Sequence, residues 1–369
     1  MECIIKNLKP NLGEVILSVL VILLLTTGTY WRNRIWNSEI ELWADCVKKS
    51  PNKARPHNNL GLALDLRGKS REAIVHYEEA LRINPNYLEA YNNLGIILFH
   101  QGKIQEAIAH YGEGLRIDPN NAEAHYNLGL ALFHQGKVQE AIAQFVKALR
   151  IDPNNAQAHN NLGLALFHQG ESREAIVHYG EALRINPNYS EARNDLGVAL
   201  FHQGKGREAI AHYGEALRIN PNNAQAHNNL GLALFHQGES REAIAHYGEA
   251  LRINPNYSEA HNNLGVALFH QGKGREAIAH YGEALRINPN YSDAHNNLGV
   301  ALFHQGKGRE AIAHYAEALR INPNLPEARY SLALAYLMIG DKGLALEQYK
   351  ILKRINPDLA NTLSPKIFK

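Results

Sequence analysis

The sequence repeats with a fixed period of thirty-four, the step from Leu60 to Leu94, and no other feature limits its fold as strongly. Leu-Gly returns at Leu60-Gly61, Leu94-Gly95, Leu128-Gly129, Leu162-Gly163, Leu196-Gly197, Leu230-Gly231, Leu264-Gly265 and Leu298-Gly299, and a ninth copy reads Leu332-Ala333. Proline keeps the same step from Pro85 to Pro357. Nine repeats run from Ala54 to Leu359 and occupy 306 of the 369 residues. A unit this short cannot bury its own apolar face, so neighbours must stack and share one core. That argues against the two or three separate domains the length would allow. Repeats four and six (156–189 and 224–257) differ only at Val177 versus Ala245, and repeats five and seven at three positions, so the array reads as duplication of a pair of repeats.

Within a repeat the apolar spacing is helical. In repeat four, Leu162, Leu166, Ala175, Tyr179, Ala182 and Leu183 mark two stripes, separated by His168-Gln169-Gly170-Glu171. Gly170 suits a left-handed helix stop. The second helix ends at Ile185-Asn186-Pro187-Asn188, because proline cannot continue it.

These residues resemble the tetratricopeptide repeat (TPR) family, whose pattern places Leu, Gly, Ala, Tyr, Ala and Pro at repeat positions 7, 8, 20, 24, 27 and 32. Repeat four matches at all six, with Leu162, Gly163, Ala175, Tyr179, Ala182 and Pro187; repeat two has Gly114 in place of an Ala. Position 4 is mostly His, such as His159, and position 11 mostly Leu, such as Leu166. The resemblance implies an all-α, right-handed solenoid of helix hairpins whose first helices line a concave surface through positions 2, 5, 6, 9, 12 and 13. Position 6 holds Asn59, Asn93, Asn127, Asn161, Asn229, Asn263 and Asn297, interrupted by Asp195 and Ser331. Position 12 holds Phe99, Phe133, Phe167, Phe201, Phe235, Phe269 and Phe303. An Asn amide both donates and accepts. The Asn column is therefore expected to hold an extended peptide backbone, as in the similar repeats of the nucleocytoplasmic O-linked N-acetylglucosamine transferase. The Phe column is expected to supply apolar pockets beside it. The bland alternative is that Asn at position 6 is simply common in the family. Position 9 is Leu, Ile or Val, so the Asn and Lys clamp of chaperone-tail-binding TPRs is absent.

Ahead of the array, beyond a flank at 1–11, residues 12–31 are expected to form a single transmembrane helix. As a helix they span about 30 Å, the thickness of a bilayer core. The dense part is Val15 to Leu25, in which Ser18 is the one polar residue. Its apolar side chains each favour insertion by roughly 0.3–0.6 kcal/mol. Tyr30-Trp31 followed by Arg32 and Arg34 reads as an aromatic belt with a charged anchor. Lys6 and Lys9 before a short apolar core leave a cleaved signal peptide as the competing reading, and a buried helix of the soluble fold as a third. Basic residues flank both ends, so charge does not set the orientation.

Residues 32–53 are a junction. Trp43, Cys46 and Pro51 fall at positions 24, 27 and 32 of a half-repeat, and Trp36, Ile40, Trp43 and Val47 form a stripe suited to capping repeat one, or to lying on a membrane surface. Arg32-Asn33, Trp36, Glu39, Leu42-Trp43, Pro51 and Arg55-Pro56-His57-Asn58-Asn59-Leu60-Gly61 are similar to the tail junction of TPR-tailed, multi-pass membrane glycosyltransferases. That resemblance implies an array facing away from the cytoplasm. It carries over no catalytic residue, since those lie in loops this chain lacks. At the other end, the 360–369 tail scarcely accommodates a full helix. The last repeat is therefore expected to be under-capped, and either prone to self-association or covered by the tail.

The remaining chemistry is thin. A net charge of +2 gives no basic face for nucleic acid, and two cysteines, Cys3 and Cys46, form neither a disulfide framework nor a four-ligand zinc site. All twenty His fall in the repeats at positions 4, 13 and 23, including a ladder at His100, His134, His168, His202, His236, His270 and His304. Equivalent atoms of stacked helices lie about 10 Å apart, whereas a metal needs ligands within about 2 Å. No metal site and no cofactor are expected, although the His make the surface charge sensitive to mildly acidic pH. No nucleophile–base pair, G-x-S-x-G or P-loop occurs, so no catalytic residue is expected. The Arg ladder follows Glu by three positions in most repeats, as in Glu181 and Arg184, which neutralises it within the helix. Asn188-Tyr189-Ser190, Asn256-Tyr257-Ser258 and Asn290-Tyr291-Ser292 fit the N-glycosylation acceptor. Gly112, Gly180, Gly214, Gly248 and Gly282 lie inside second helices, where close packing and drift are both open explanations.

The expected function is a membrane-anchored, non-catalytic scaffold for protein segments. The alternatives are an accessory or detached tail of a membrane glycosyltransferase that presents acceptor proteins, and a non-functional fragment of such an enzyme.

Overall fold

The computed structural model describes residues 12–35 and 38–368. Every regular element among them is an α-helix, twenty-one in all. They form two compact units, Met1–Gln169 and Gly170–Lys369.

One hairpin explains the rest. In repeat six the first helix is Ala224–His236 and the second Ser240–Ile253. Gly238 stops the first helix at φ +86°, a conformation that a side chain would strain. There its N–H bonds Phe235 O at 3.0 Å and the Glu239 N–H bonds Leu234 O at 2.9 Å, which closes the helix end. The second helix stops at Asn254, whose backbone is extended and whose side-chain oxygen accepts from Asn256 N at 3.1 Å. Pro255 then has no N–H to prolong the helix. The core of the hairpin is small and tight: Ala226, Ala233, Ala243 and Ala250 are wholly buried, and Tyr247 is 1 % exposed.

In the first unit a helix at Glu39–Lys49 precedes repeat one. Ser38 caps it by accepting from Glu41 N at 3.2 Å. Ile40, Trp43 and Val47 pack on the core that holds Leu60, Tyr77 and Leu94. This stripe therefore lies on the repeats.

The leading helix is Leu12–Ile35. Here the expectation needs correction: among the described residues no helix is long and apolar enough to cross a membrane. The densely apolar part of the leading helix, Val15 to Leu25, is about 16 Å of helix against the roughly 30 Å of a bilayer core. The side chains of Leu12, Glu14, Trp31, Arg32, Arg34 and Trp36 lie outside the described set, as does the whole of 1–11 with Cys3, Lys6 and Lys9.

At the far end the tail covers the last repeat, one of the two outcomes expected, but it does so as a full helix, which its short count does not suggest. The closing residues form a helix, Pro357–Ile367. It fits because it starts inside the ninth repeat, with Pro357 in its first turn and Asn356 accepting from Leu359 N at 3.0 Å. Its Ala360, Leu363 and Ile367 are buried against Ala333 and Leu352. Lys366 Nζ donates to Tyr330 OH at 3.0 Å.

Candidate functional site

The Asn residues of position 6 sit half-buried on the first-helix face, and most lean on the repeat before them. Asn93 Nδ2 donates to Asn58 Oδ1 at 3.1 Å. Asn229 donates to Asn194, Asn263 to Asn228 and Asn297 to Asn262, all at 3.0 Å. Asn161 donates to Tyr126 OH at 3.0 Å. These rungs staple position 6 of one repeat to position 5 of the preceding one. Among the described residues the rungs at Asn127 and Ser331 are missing, each for a local reason, and Asp195 has no side-chain N–H to give to Asn160 Oδ1. Asn127 Nδ2 and Asn92 Oδ1 are both buried without partners, and Asn92 Oδ1 lies where a side chain on Gly114 would reach, 3.2 Å from the missing Cβ. Asn296 Oδ1 is orphaned because Ser331 replaces the Asn that would reach it.

The Phe rings of position 12 are half-buried along the edge where the hairpins turn. Phe99 meets His134 edge-on at 5.1 Å, and Phe201, Phe235 and Phe269 meet His236, His270 and His304 at 5.4 Å. The exposed His ladder thus shields the Phe column. Two recesses open beside it, of about 710 Å³ at Phe201, Gly206, Arg207 and His236, and about 640 Å³ at Phe269, Gly274, Arg275 and His304. In repeats two and three Gln105 and Gln139 stand at the equivalent of Arg207 and bridge to Gln135 and Gln169. The same helix face begins at position 2 with exposed carboxylates: Glu89 and Glu123 in the first unit, and Glu191, Glu259, Asp293 and Glu327 in the second.

Positions 4 and 23 meet across the hairpin. His57 and His76 approach Nδ1 to Nδ1 at 3.2 Å, His227 and His246 at 3.0 Å, His261 and His280 at 3.1 Å, and His295 and His314 at 3.1 Å. The other nitrogen of each position-4 ring, Nε2, faces the carbonyl of the preceding repeat's proline. The distance is 3.0 Å to Pro51 and 3.2, 3.2 and 3.1 Å to Pro221, Pro255 and Pro289. Arg193 and Arg329 serve the same carbonyl where they replace His. Burial, and then the facing ring, push His76, His246, His280 and His314 below the ordinary imidazole range. Those four rings therefore stay neutral to lower pH than an ordinary exposed imidazole would. Burial raises the position-24 phenols, Tyr315 to about 12.

Arg and Glu pair within second helices at 2.6–2.9 Å from Glu79–Arg82 to Glu317–Arg320. A Cβ added at Gly112, Gly180, Gly214, Gly248 or Gly282 would meet nothing within 4 Å, which removes close packing as their explanation. Among the described residues no group of three or more His, Cys, Asp or Glu could hold a metal ion. The pairing of positions 4 and 23 is not evident from the sequence read as separate columns, although the two keep one constant offset in every repeat.

Residues 46–263 match the family of the cilia and flagella-associated protein 70 C-terminal domain. Residues 237–291, 263–326 and 302–363 match tetratricopeptide repeat families. The Protein O-mannosyl-transferase Tmtc3 of Drosophila melanogaster is 38 % identical over 68 residues, which are 18 % of this chain and 7 % of that protein. Among solved structures, the APC/C hetero-tetramer Cut9–Hcn1 aligns at TM-score 0.61 and 21 % identity over 78 % of this chain and 56 % of that one. PilF of Pseudomonas aeruginosa aligns at 0.53 and 23 % over 57 % and 97 %. At such identities the likeness shows the fold alone.

Proposed function

The chain belongs to the tetratricopeptide-repeat family of the cilia and flagella-associated protein 70 C-terminal domain, and from that premise we propose a non-catalytic scaffold that binds an extended, basic and apolar protein segment along its first-helix face. The observation that carries this reading is the recurrence of three chemistries on that face. Exposed position-2 carboxylates attract cations, position-6 amides are oriented by their rungs, and half-buried Phe rings line recesses shared with Arg207 and Glu208. An oriented Asn retains a second N–H and a carbonyl lone pair for a peptide backbone.

Fluorescence anisotropy with the purified full chain tests it. Extended peptides rich in Lys and Leu should bind at least tenfold tighter than their Glu-substituted counterparts. E191K with D293K should shrink that preference. A preference unmoved by this change would rule the face out. Replacing Asn161, Asn229 and Asn263 by Ala should weaken binding and, because it also removes rungs, lower the unfolding midpoint.

Membrane attachment is part of the proposal. Val15 to Leu25 present large apolar side chains that are 42–71 % exposed, far more contiguous apolar surface than a soluble surface tolerates. Thr26, Thr27 and Thr29 return their hydroxyls to Ile22, Leu23 and Leu25 carbonyls at 2.6–2.8 Å, which hides polar groups in the same helix. The chain should float with phospholipid vesicles in a density gradient and lose that flotation when Val15 to Leu25 are replaced by Ser; recovery of a soluble chain beginning near Thr29 would show signal cleavage instead.

A second reading, an accessory to a membrane glycosyltransferase with the array outside the cytoplasm, draws on the short similarity to Tmtc3. Glycosidase-sensitive mass at Asn188, Asn256 and Asn290, on expression in a glycosylating secretory pathway, would support that orientation. Their quantitative recovery unmodified would count against it.

A further inference from the structure

We propose that the histidine pairs at positions 4 and 23 of repeats six, seven and eight act as an acid-sensitive lock: each pair takes up one proton with its ring-to-ring bond intact, and a second proton parts the two helices of the repeat. The pairs are consecutive, His227 with His246, His261 with His280 and His295 with His314, and their Nδ1 atoms stand 3.0–3.1 Å apart. At that distance a hydrogen bond joins the two rings. Ring centroids at 5.3–5.4 Å and planes tilted by 31–33° agree with an end-to-end bond and not a stack. Repeat one holds the same pair, His57 with His76.

The proton count of the pair follows from its outer contact. Nε2 of His227 faces the Pro221 carbonyl at 3.2 Å, so that nitrogen carries a proton and Nδ1 keeps a lone pair. His261 and His295 face Pro255 and Pro289 in the same way. In the neutral pair His246 Nδ1–H donates to the lone pair of His227. A first added proton goes to Nε2 of His246, and one proton still lies between the rings. A second finds only the inner lone pair. It sets two N–H groups and two positive charges face to face, so the rings swing apart and the first helix loses its link to the second. Asn228 and Asn229, which carry rungs, follow His227 directly, so the opening reaches the first-helix face.

Few charges offset that repulsion. Each position-23 ring is acted on by the facing ring of the first helix and by carboxylates of its own helix. These are His227 and Glu249 for His246; His261, Glu276 and Glu283 for His280; His295, Glu310 and Glu317 for His314; and His57, Glu72 and Glu79 for His76. Glu249, Glu283 and Glu317 are already paired with Arg252, Arg286 and Arg320, and Glu310 with Lys307. The preceding second helix sets Glu78 against His110, but before the three consecutive pairs the same place holds Gly214, Gly248 and Gly282. The following first helices add no charge that shifts these rings. Burial first, and the facing ring after it, hold the position-23 imidazoles below the 6.5 to which unfolding returns them. The folded chain therefore binds fewer protons than the unfolded chain, and stability that is full above 6.5 is lost as pH falls through the lowered values.

Hydrogen–deuterium exchange of the full chain at about pH 7.4 and about pH 5.5, corrected for the intrinsic rate at each pH, tests the lock. On acidification, protection over 224–325 should fall about tenfold more than over 122–155. In that control repeat His125 faces Gln144 Oε1, which still accepts from a protonated ring. H246Q with H280Q and H314Q should keep protection at the higher pH, because Gln144 already fills that place, and should abolish the extra loss. H202Q with H236Q and H270Q, on the exposed ladder, removes as many imidazoles and should leave the extra loss in place. Independently of both variants, the proton resonances of each native pair should move in two separate steps as pH falls; if the first variant is unprotected at the higher pH, these resonances decide. An equal loss over 122–155, an extra loss that survives the first variant or vanishes in the second, or a single step common to all the rings would overturn the proposal.

Discussion

Position 8 of the repeats leaves no room for a methyl group. A Cβ on Gly95 would stand 2.5 Å from Tyr111 Cε1, and the same approach recurs at 2.6 Å for Gly197 with Tyr213, Gly265 with Tyr281 and Gly299 with Tyr315. Repeat nine carries the methyl. Ala333 replaces Gly, and its Tyr349 is only half-buried and turns edge-on to Phe368 at 5.6 Å, whereas the other position-24 tyrosines are at most 2 % exposed. Gly95→Ala should therefore destabilise by about 1–3 kcal/mol, the usual cost of overpacking a core. A urea midpoint unchanged by the substitution would count against the tight approach. The need for Gly is legible in the sequence as the Leu-Gly period, but its reason is not, because Tyr111 stands on the other helix of the hairpin. The rungs are hidden for a similar reason. The Asn column at position 6 is plain in the sequence, yet its partners at position 5 belong to the preceding repeat and become neighbours only when repeats stack. The surplus of Asn that suggests a ligand-binding ladder is already partly engaged in holding repeats together.

Helix boundaries are more readable than helix contacts, because Gly238 and Pro255 act locally on backbone conformation and need no tertiary partner. The same locality identifies weak helices. Gly180, Gly214, Gly248 and Gly282 occupy exposed helix interiors with open space around them, while Ala316 fills the equivalent place in repeat eight. Changing all four to Ala should stabilise by about 0.5–1 kcal/mol each. Thermal unfolding monitored by circular dichroism checks the gain; a fall in midpoint would mean that the open space is needed. The closing helix is not legible when the count starts at Ala360, which leaves too little chain. It starts at Pro357, and three side chains, Ala360, Leu363 and Ile367, do the sealing. Leu363→Asp buries a charge against Ala333 and Leu352. The expected result is a lowered midpoint and concentration-dependent association measured by light scattering, since an apolar end face is uncovered.

Over the whole molecule, stability accrues between nearest neighbours, so length can change without changing the rules of assembly. Deleting 190–257 removes repeats five and six and joins repeat four to repeat seven, which matches the lost repeat five at all but three positions. The shortened chain should fold cooperatively, with helix content falling in proportion to the length removed. A deletion of half a repeat should not fold cooperatively. Loss of cooperative unfolding in the two-repeat deletion would show that distant repeats depend on one another. Near-identity of parts has a further cost. The rung from Asn229 to Asn194 and the rung from Asn297 to Asn262 have the same donor, acceptor and 3.0 Å length, so a folding chain meets correct and displaced neighbours on equal terms. A second helix hairpin arriving two repeats out of step, from the same chain or from another, finds its surface already cut to fit. Rapid refolding at high concentration should accordingly trap interlocked dimers that dilution releases slowly. The same interchangeability at the level of coding sequence makes the number of repeats an easily altered quantity, gained or lost two at a time.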